Sequence, residues 1–352
     1  MSSAHTQLTE SLSNHLNQLQ PWFEGKTFLV TGGAGFIGSH TTRHLLNMGA
    51  KVIVIDDFND YYDPAIKRRN IQDVETNPNF TLFEGDIRDT GLLTDIFSEH
   101  GDALKTGGIV HLAARAGVRP SLLEPRLYLE TNVTGTLNLA ELARAHGIKK
   151  FVFASSSSVY GSAPDKTPFI ETQDISKPIS PYASTKAMGE SLLHTYSHLY
   201  DLQVVALRFF TVYGAGQRPD LAIHKFTKMI DEGTPIPVYG DGSTERDYTY
   251  IDDIQQGVLS AIRYDATPYE VVNLGESQTT KLSDLIALIE TSLGKKAVID
   301  RQPLQPGDVP ITYADISYTK NLFGYNPTTK VVDGIPKFVD WYQSNKAALA
   351  TV

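Results

Sequence analysis

The 352-residue chain has no cysteine, which excludes disulfides, thiolate metal sites and cysteine nucleophiles and suits a reducing compartment, the cytoplasm by default. It has no apolar run of the roughly 20 residues that a membrane-crossing helix requires. Its first 24 residues lack the basic start and continuous apolar stretch of a secretory signal. Positive charge is scarce as well. The 31 Lys and Arg are outnumbered by 40 Asp and Glu, and no basic run is present, so nucleic acid and anionic membrane surfaces are poor partners. Internal repeats and low-complexity stretches are also missing. What is present is 41% hydrophobic residues, enough for a substantial core in one large or two coupled domains.

Three regions follow from the pattern. Residues 1–24 form an extension in which Leu8, Leu12, Leu16, Leu19 and Trp22 recur at near-helical spacing, read either as a helix packed on the body or as a disordered tail. Residues 25–208 alternate short β-rich apolar runs (27–30, 52–55, 81–83, 109–112, 151–154 and 204–207) with longer amphipathic stretches. That alternation predicts an α/β fold, a doubly wound parallel Rossmann sheet of six strands. Residues 209–352 lose the alternation and are punctuated by Pro and Gly, with helices expected over 251–262, 282–293 and 331–344. They read mainly as a smaller C-terminal α/β domain that binds substrate and closes a cleft at the strands' carboxyl ends. Within it, Val238–Gly242 reads as a strand entering a glycine turn.

Thr31-Gly32-Gly33-Ala34-Gly35-Phe36-Ile37-Gly38 directly follows the first strand and opens a helix. In that context Gly32, Gly35 and Gly38 supply the tight turn, the close backbone approach and the helix-to-sheet contact of a dinucleotide site, and the helix start at Phe36 and Ile37 offers free N–H groups to a pyrophosphate. Asp56 ends the second strand 24 residues after Gly32, placed to accept from the adenosine ribose hydroxyls and to repel a 2′-phosphate. This favours NAD over NADP, although Lys67, Arg68 and Arg69 could answer a phosphate. Asp86 and Ile87 are read as an adenine contact, with a helix cap as the competing role for Asp86. Leu112, Ala113 and Ala114 would let the cofactor lie against backbone, and the neighbouring His111 reads as a packed histidine.

Tyr182 and Lys186 stand four residues apart in SPYASTK, on one face of a helix that Pro181 begins. An ammonium beside a phenol lowers its pKa from about 10 and equips it to take a hydroxyl proton. Ser155-Ser156-Ser157-Ser158 ends the preceding strand and brings hydroxyls to the same cleft.

With TGGAGFIGSH, SSSSVYG, SPYASTK and RDYTYIDD in place, the chain from about residue 26 to 344 resembles the extended short-chain dehydrogenases, in particular the NAD-dependent UDP-sugar 4-epimerases. The resemblance implies Ser156, Tyr182 and Lys186 as the catalytic set. It implies cofactor contacts at Asp56, Asp86, Ile87, Asn132, Lys186 and Phe209. Related 4,6-dehydratases carry an acidic pair where this chain has Ser157 and Ser158, so elimination lacks its carboxylates. FNDYYDP, AGVRPS, RFFTVYG and QPGDV look like UDP-glucuronate 4-epimerases specifically. The hydroxyls of Ser157, Ser158 and Thr211 would then hold the sugar carboxylate, although they could equally line a neutral hexose pocket. Arg218 and Arg246 are candidates for the pyrophosphate, Arg119 for a phosphate or for pairing with Glu124, and Asp308 for the uridine ribose. A homodimer through 125–146 and 181–200 is also implied. The competing functions are a UDP-glucose or UDP-N-acetylglucosamine 4-epimerase, a decarboxylase and a non-catalytic NAD-binding protein.

Overall fold

A computed structural model describes residues 9–162, 167–303 and 311–349. The first six strands are β1 (Thr27–Thr31), β2 (Lys51–Asp56), β3 (Phe80–Glu84), β4 (Gly108–His111), β5 (Lys150–Ser156) and β6 (Gln203–Phe209). Four short strands follow, β7 (Thr211–Tyr213), β8 (Ile236–Tyr239), β9 (Glu245–Arg246) and β10 (Tyr248–Tyr250), and then β11 (Tyr269–Leu274). The central sheet has the order β11-β6-β5-β4-β1-β2-β3 and is parallel throughout. Both faces are covered, which is why β1 and β5 are buried along their whole length and read as apolar runs rather than alternating ones.

The helices are α1 (Glu10–Phe23), α2 (Phe36–Asn47), α3 (Pro64–Ile71), α4 (Thr90–Leu104), α5 (Val118–Leu123), α6 (Pro125–Leu129), α7 (Gly135–His146), α8 (Pro181–Tyr200), α9 (Ala222–Glu232) and α10 (Ile251–Arg263). Three more span Leu282–Leu293, Ser317–Phe323 and Val331–Leu349. A π-turn, Glu130–Thr134, joins α6 to α7.

Two expectations change. The central sheet has seven strands, not six, and residue 208 is not a boundary in space. After β7–β10 the chain re-enters the first lobe through α10 and adds β11 beside β6, in register from Tyr269↔Val204 to Leu274↔Phe209. The cause is burial: Val272 and Leu274 are fully enclosed, and every α10 residue from Ile251 to Ile262 is buried.

Within the N-terminal extension, Glu10–Phe23 forms a helix packed on the body. Leu12, Leu19 and Phe23 of α1 are buried against the molecule, where α1 packs on α10. Asp252 of α10 accepts the Thr9 N–H at 3.0 Å, and His15 hydrogen-bonds Ser260 at 3.1 Å. Leu8 lies outside the described residues. The helices expected at 251–262 and 282–293 are present, the one expected at 331–344 runs on to Leu349, and β8 leads into positive-φ Gly240 and Gly242 as anticipated.

Candidate active site

A cavity of about 880 Å³ opens at the carboxyl ends of β1, β2, β4, β5 and β6 and is closed from the other side by residues of β7–β10 and α9. At one end is the glycine turn. Gly32 has φ +69°, and a Cβ on it would meet the Ala113 backbone at 2.8 Å; a Cβ on Gly38 would sit 2.1 Å from the Gly32 carbonyl oxygen. No side chain caps α2, because its N-cap is Gly35, so the first-turn N–H groups at Phe36 and Ile37 have no side-chain partner, and both residues line the cavity. This is a cradle for an anion held by backbone.

Asp56 is 5% exposed beside that turn. Its carboxylate accepts the Ala34 N–H at 3.2 Å, the Phe58 N–H at 3.0 Å and the Lys67 ammonium at 3.1 Å. The cations that the sequence offered for a 2′-phosphate are committed elsewhere. Lys67 bridges Asp56 and Asp57, Arg68 pairs with Glu84 at 2.5 Å and lies over the Phe58 ring, and Arg69 donates to the Ala348 carbonyl.

Asp86 lines the cavity and binds the Arg88 guanidinium, with contacts down to 2.6 Å. Burial pushes its carboxyl up, but the Arg88 bonds outweigh this and hold it below the ordinary value. Helix capping falls to Asp89, which accepts from Gly91 and Leu92. His111 is a packed histidine, bonded to Thr31 at 2.7 Å and Thr136 at 2.9 Å and driven by burial to a pKa of about 3.

Asn132 is the one described residue of the expected set that does not line the cavity. It sits in the π-turn, where its amide binds the Arg115 N–H at 2.8 Å, the Arg115 carbonyl at 3.0 Å and Thr185 at 3.0 Å. It therefore braces the loop after β4 against α8 from behind the wall. Asp308, with the QPGDV string, falls outside the described residues.

Tyr182 and Lys186 occupy the first turns of α8, which Ser180 caps by accepting the Ala183 N–H at 3.1 Å. Lys186 is 3% exposed, and its ammonium donates to the Ala154 carbonyl at 2.7 Å. Burial lowers its pKa to about 7, against an upward pull from Glu190. Burial raises the Tyr182 phenol, while the neighbouring Ser156 hydroxyl and the Arg218 guanidinium pull it down. The downward pulls thus come from Ser156 and Arg218, where the sequence pointed to Lys186. Ser156 hydrogen-bonds Ser158, hydroxyl to hydroxyl at 3.1 Å and from the Ser158 N–H at 3.2 Å, because the chain after β5 turns through the short helix Ser157–Tyr160.

The remaining expected residues also line the cavity: Leu112, Ala113, Ala114, Ile87, Ser157, Phe209, Thr211, Arg119, Arg218 and Arg246. Arg218 forms a double contact with Asp220 (2.9 and 2.7 Å) and lies over Tyr61. Arg119 projects over the Tyr239 ring, centroid at 5.0 Å, so the two lobes meet across the opening. Arg246 donates to its neighbour's Glu245 carbonyl.

Tyr61, Arg115, Phe226 and Tyr239 also line the cavity and were not singled out from sequence. Tyr61 lies inside the FNDYYDP string and Arg115 directly follows Ala114; Phe226 carries no signal beyond the periodicity of α9. Asp247, in the RDYTYIDD string, does not reach the cavity. Fully buried, it accepts from Thr249, Glu276, Ser277 and Ala314 and so ties the second lobe together behind Arg246.

A parallel sheet with this strand order, a glycine turn into α2 and a Tyr/Lys helix opposite a serine-rich strand end define an extended short-chain dehydrogenase fold with a second, smaller lobe. The chain belongs to the family described as GDP-mannose 4,6 dehydratase, whose model matches residues 29–338. It is 41% identical over 320 residues to a UDP-glucuronate 4-epimerase of Thermodesulfobacterium geofontis, covering 90% of this chain and 96% of that one. The crystal structure of a Bacillus cereus UDP-glucuronic acid 4-epimerase in complex with UDP-glucuronic acid and NAD matches with a TM-score of 0.84 at 36% identity, over 90% of this chain and 99% of that one. A UDP-glucose 4-epimerase of Thermotoga maritima with UDP-glucose matches with a TM-score of 0.82 at 32% identity, over 91% and 99%.

Proposed function

We propose that this chain is an NAD-dependent UDP-glucuronate 4-epimerase, interconverting UDP-glucuronate and UDP-galacturonate. The observation that carries it is the composition of the wall beside Tyr182: Ser156, Ser157 and Ser158, with no carboxylate at the two positions where elimination would need one. Two of the relatives above, those of Thermodesulfobacterium geofontis and Bacillus cereus, act on this sugar acid by name.

The cradle at Gly32, Gly35 and Gly38 with the open start of α2 fits a pyrophosphate, and Asp56 fits the adenosine ribose. NAD rather than NADP follows from the pairing of Lys67, Arg68 and Arg69 with groups of the protein. Bound there, NAD supplies reversible hydride acceptance from the sugar C4. Tyr182 takes the 4-hydroxyl proton on its phenolic oxygen and later returns it. Ser156, beside that oxygen, steadies the sugar O4, and Lys186 is held one helical turn away on the Ala154 carbonyl. Inversion requires the 4-keto sugar to present its other face before the hydride returns. A 4-keto uronate is a β-keto acid that loses CO2 easily, so its carboxylate must be held still. Ser157, Ser158 and Thr211 supply hydroxyls for this, and Arg119, Arg218 and Arg246 supply cations for the nucleotide phosphates. Asp308 is assigned to the uridine ribose and Asn132 to the cofactor side through the loop it braces.

The same reading makes the chain a cytoplasmic homodimer. Its support is an apolar face on adjacent helices: Leu122 and Leu123 of α5, Leu129 of α6, Leu137 of α7 and Met188 and Leu199 of α8 are all exposed.

Incubation with UDP-glucuronate, UDP-glucose and UDP-N-acetylglucosamine in parallel tests the substrate. UDP-galacturonate is expected without CO2 release; turnover of UDP-glucose alone sinks the assignment. Tyr182→Phe is expected to lower kcat by at least about a hundredfold with NAD still bound in calorimetry.

A further inference from the structure

The mechanism above leaves unused a buried ion pair one turn further along the catalytic helix. Glu190 follows Lys186 by four residues, as Lys186 follows Tyr182, so three side chains rise along one face of α8. Strand β5 meets them with three successive residues. The Ala154 carbonyl accepts from Lys186, the Ser155 hydroxyl donates to Glu190 Oε1, and the Ser156 hydroxyl sits near enough to the Tyr182 phenol to pull it down. Ser155 lies beside Arg208 in the β5–β6 register, and Arg208 grips the same carboxylate twice, Nε to Oε1 at 2.9 Å and Nη2 to Oε2 at 2.7 Å. Both side chains are 4% exposed. The third guanidinium nitrogen donates to the Glu171 carbonyl at 3.0 Å, and the guanidinium carbon lies 4.7 Å from the centre of the Tyr160 ring. From β11, Tyr269 donates to the Glu190 main-chain carbonyl at 3.1 Å.

A buried Arg–carboxylate pair is expensive to desolvate and is rarely worth more to stability than well-packed apolar side chains. Its placement one turn behind Lys186, fixed from three strands, calls for a reason other than stability. We propose that Glu190 and Arg208 are a positioning pair that locks the rotation and axial register of α8 against β5 and β6 and so presents Lys186 to Tyr182 as a cation. The proposal rests on the epimerase reading for the roles of Tyr182 and Lys186. Its electrostatic half is a balance: burial drives the Lys186 ammonium down, Glu190 pulls it back, and Arg208 restrains that pull by occupying the carboxylate. The other titratable groups around Lys186 are Tyr182 on its own helix and His111 on β4, which burial keeps neutral at physiological pH.

The test is the titration of Lys186 in the full-length protein, read by NMR of 13C-lysine-labelled enzyme and assigned with Lys186→Arg, together with kcat and KM against pH. Glu190→Gln should lower the Lys186 midpoint by about one unit or more, and Arg208→Gln should raise it. In Glu190→Gln the acid limb of kcat should move to higher pH and kcat at neutrality should fall about tenfold at little-changed KM. Opposite shifts from the two partners are what a merely structural pair would not produce. Unmoved midpoints in folded variants overturn the proposal. Where either single variant fails to fold, the uncharged double variant Glu190→Gln/Arg208→Gln decides: kcat reduced about tenfold at unchanged KM supports positioning, and wild-type kcat overturns it. The titration needs no substrate, so failure of the epimerase reading shows separately, as wild-type enzyme that does not turn over UDP-sugars.

Discussion

Gly38 leaves the dinucleotide turn no slack, since a Cβ there would lie 2.1 Å from a main-chain oxygen that no side-chain rotation can move. Gly38→Ala is therefore expected to weaken NAD binding by at least about tenfold through displacement of the first turn of α2; calorimetry returning wild-type affinity would show that the turn yields. His44 is an opposite case, a side chain out of place. It is buried, neither ring nitrogen has a partner, and burial brings its pKa from 6.5 to about 3. The ring is neutral in the folded protein, so the associated stability is present above pH 6.5 and is lost as pH falls towards 3. His44→Leu should raise stability by about 1–3 kcal/mol and flatten the fall of Tm between pH 6.5 and 5; an unchanged slope would mean that His44 does not report acid sensitivity. Of these two residues the glycine was legible from its motif, whereas nothing in the sequence around His44 distinguishes an unsatisfied histidine from a bonded one such as His111.

Among the elements, strands and helices of the first lobe were legible because apolar runs bounded by amphipathic stretches have one economical fold. The ends were not: β5 reaches Ser156 and β6 reaches Phe209, since strand pairing continues through polar residues once a neighbour offers hydrogen bonds. The π-turn at Glu130–Thr134 had no sequence signature, and it decides that Asn132 braces Arg115 rather than lining the cavity. α10 shows the same limit. Its buried polar residues find partners distant in sequence: Asp252 at Thr9, Asp253 at Thr328 and Thr329, Gln255 at Thr41, Gln256 at Asn326 and Ser260 at His15. Because α1 covers this helix far from the cavity, Leu12→Ala should cost about 2–4 kcal/mol of stability while leaving kcat and KM unchanged. A fall in kcat with stability intact would place α1 in the active site instead.

Across the whole molecule, the lobes are not consecutive segments. The chain leaves the sheet after β6, builds part of the second lobe, and returns through α10 to add β11 as the sheet's edge strand. The exposed leucines of α5–α7 and the Met188 face of α8 give the association prediction. Leu123 is 84% exposed, and Leu123→Glu should convert a two-chain mass in light scattering to a one-chain mass. A wild-type protein already at one-chain mass would overturn the homodimer.

By itself the sequence determined the fold class, the glycine cradle, the Tyr182/Lys186 helix and the serine-lined wall, because each depends on short-range spacing: a turn needing φ > 0, two side chains one helical turn apart, a strand end rich in hydroxyls. Only the tertiary structure decided where β11 goes, why Lys67 and Arg68 are spent on acids, and that Lys186 and Glu190 each meet one residue of β5. Those facts turn on pairings between residues far apart in the chain, and burial, which sets their charge states, belongs to the assembled core rather than to any segment of it.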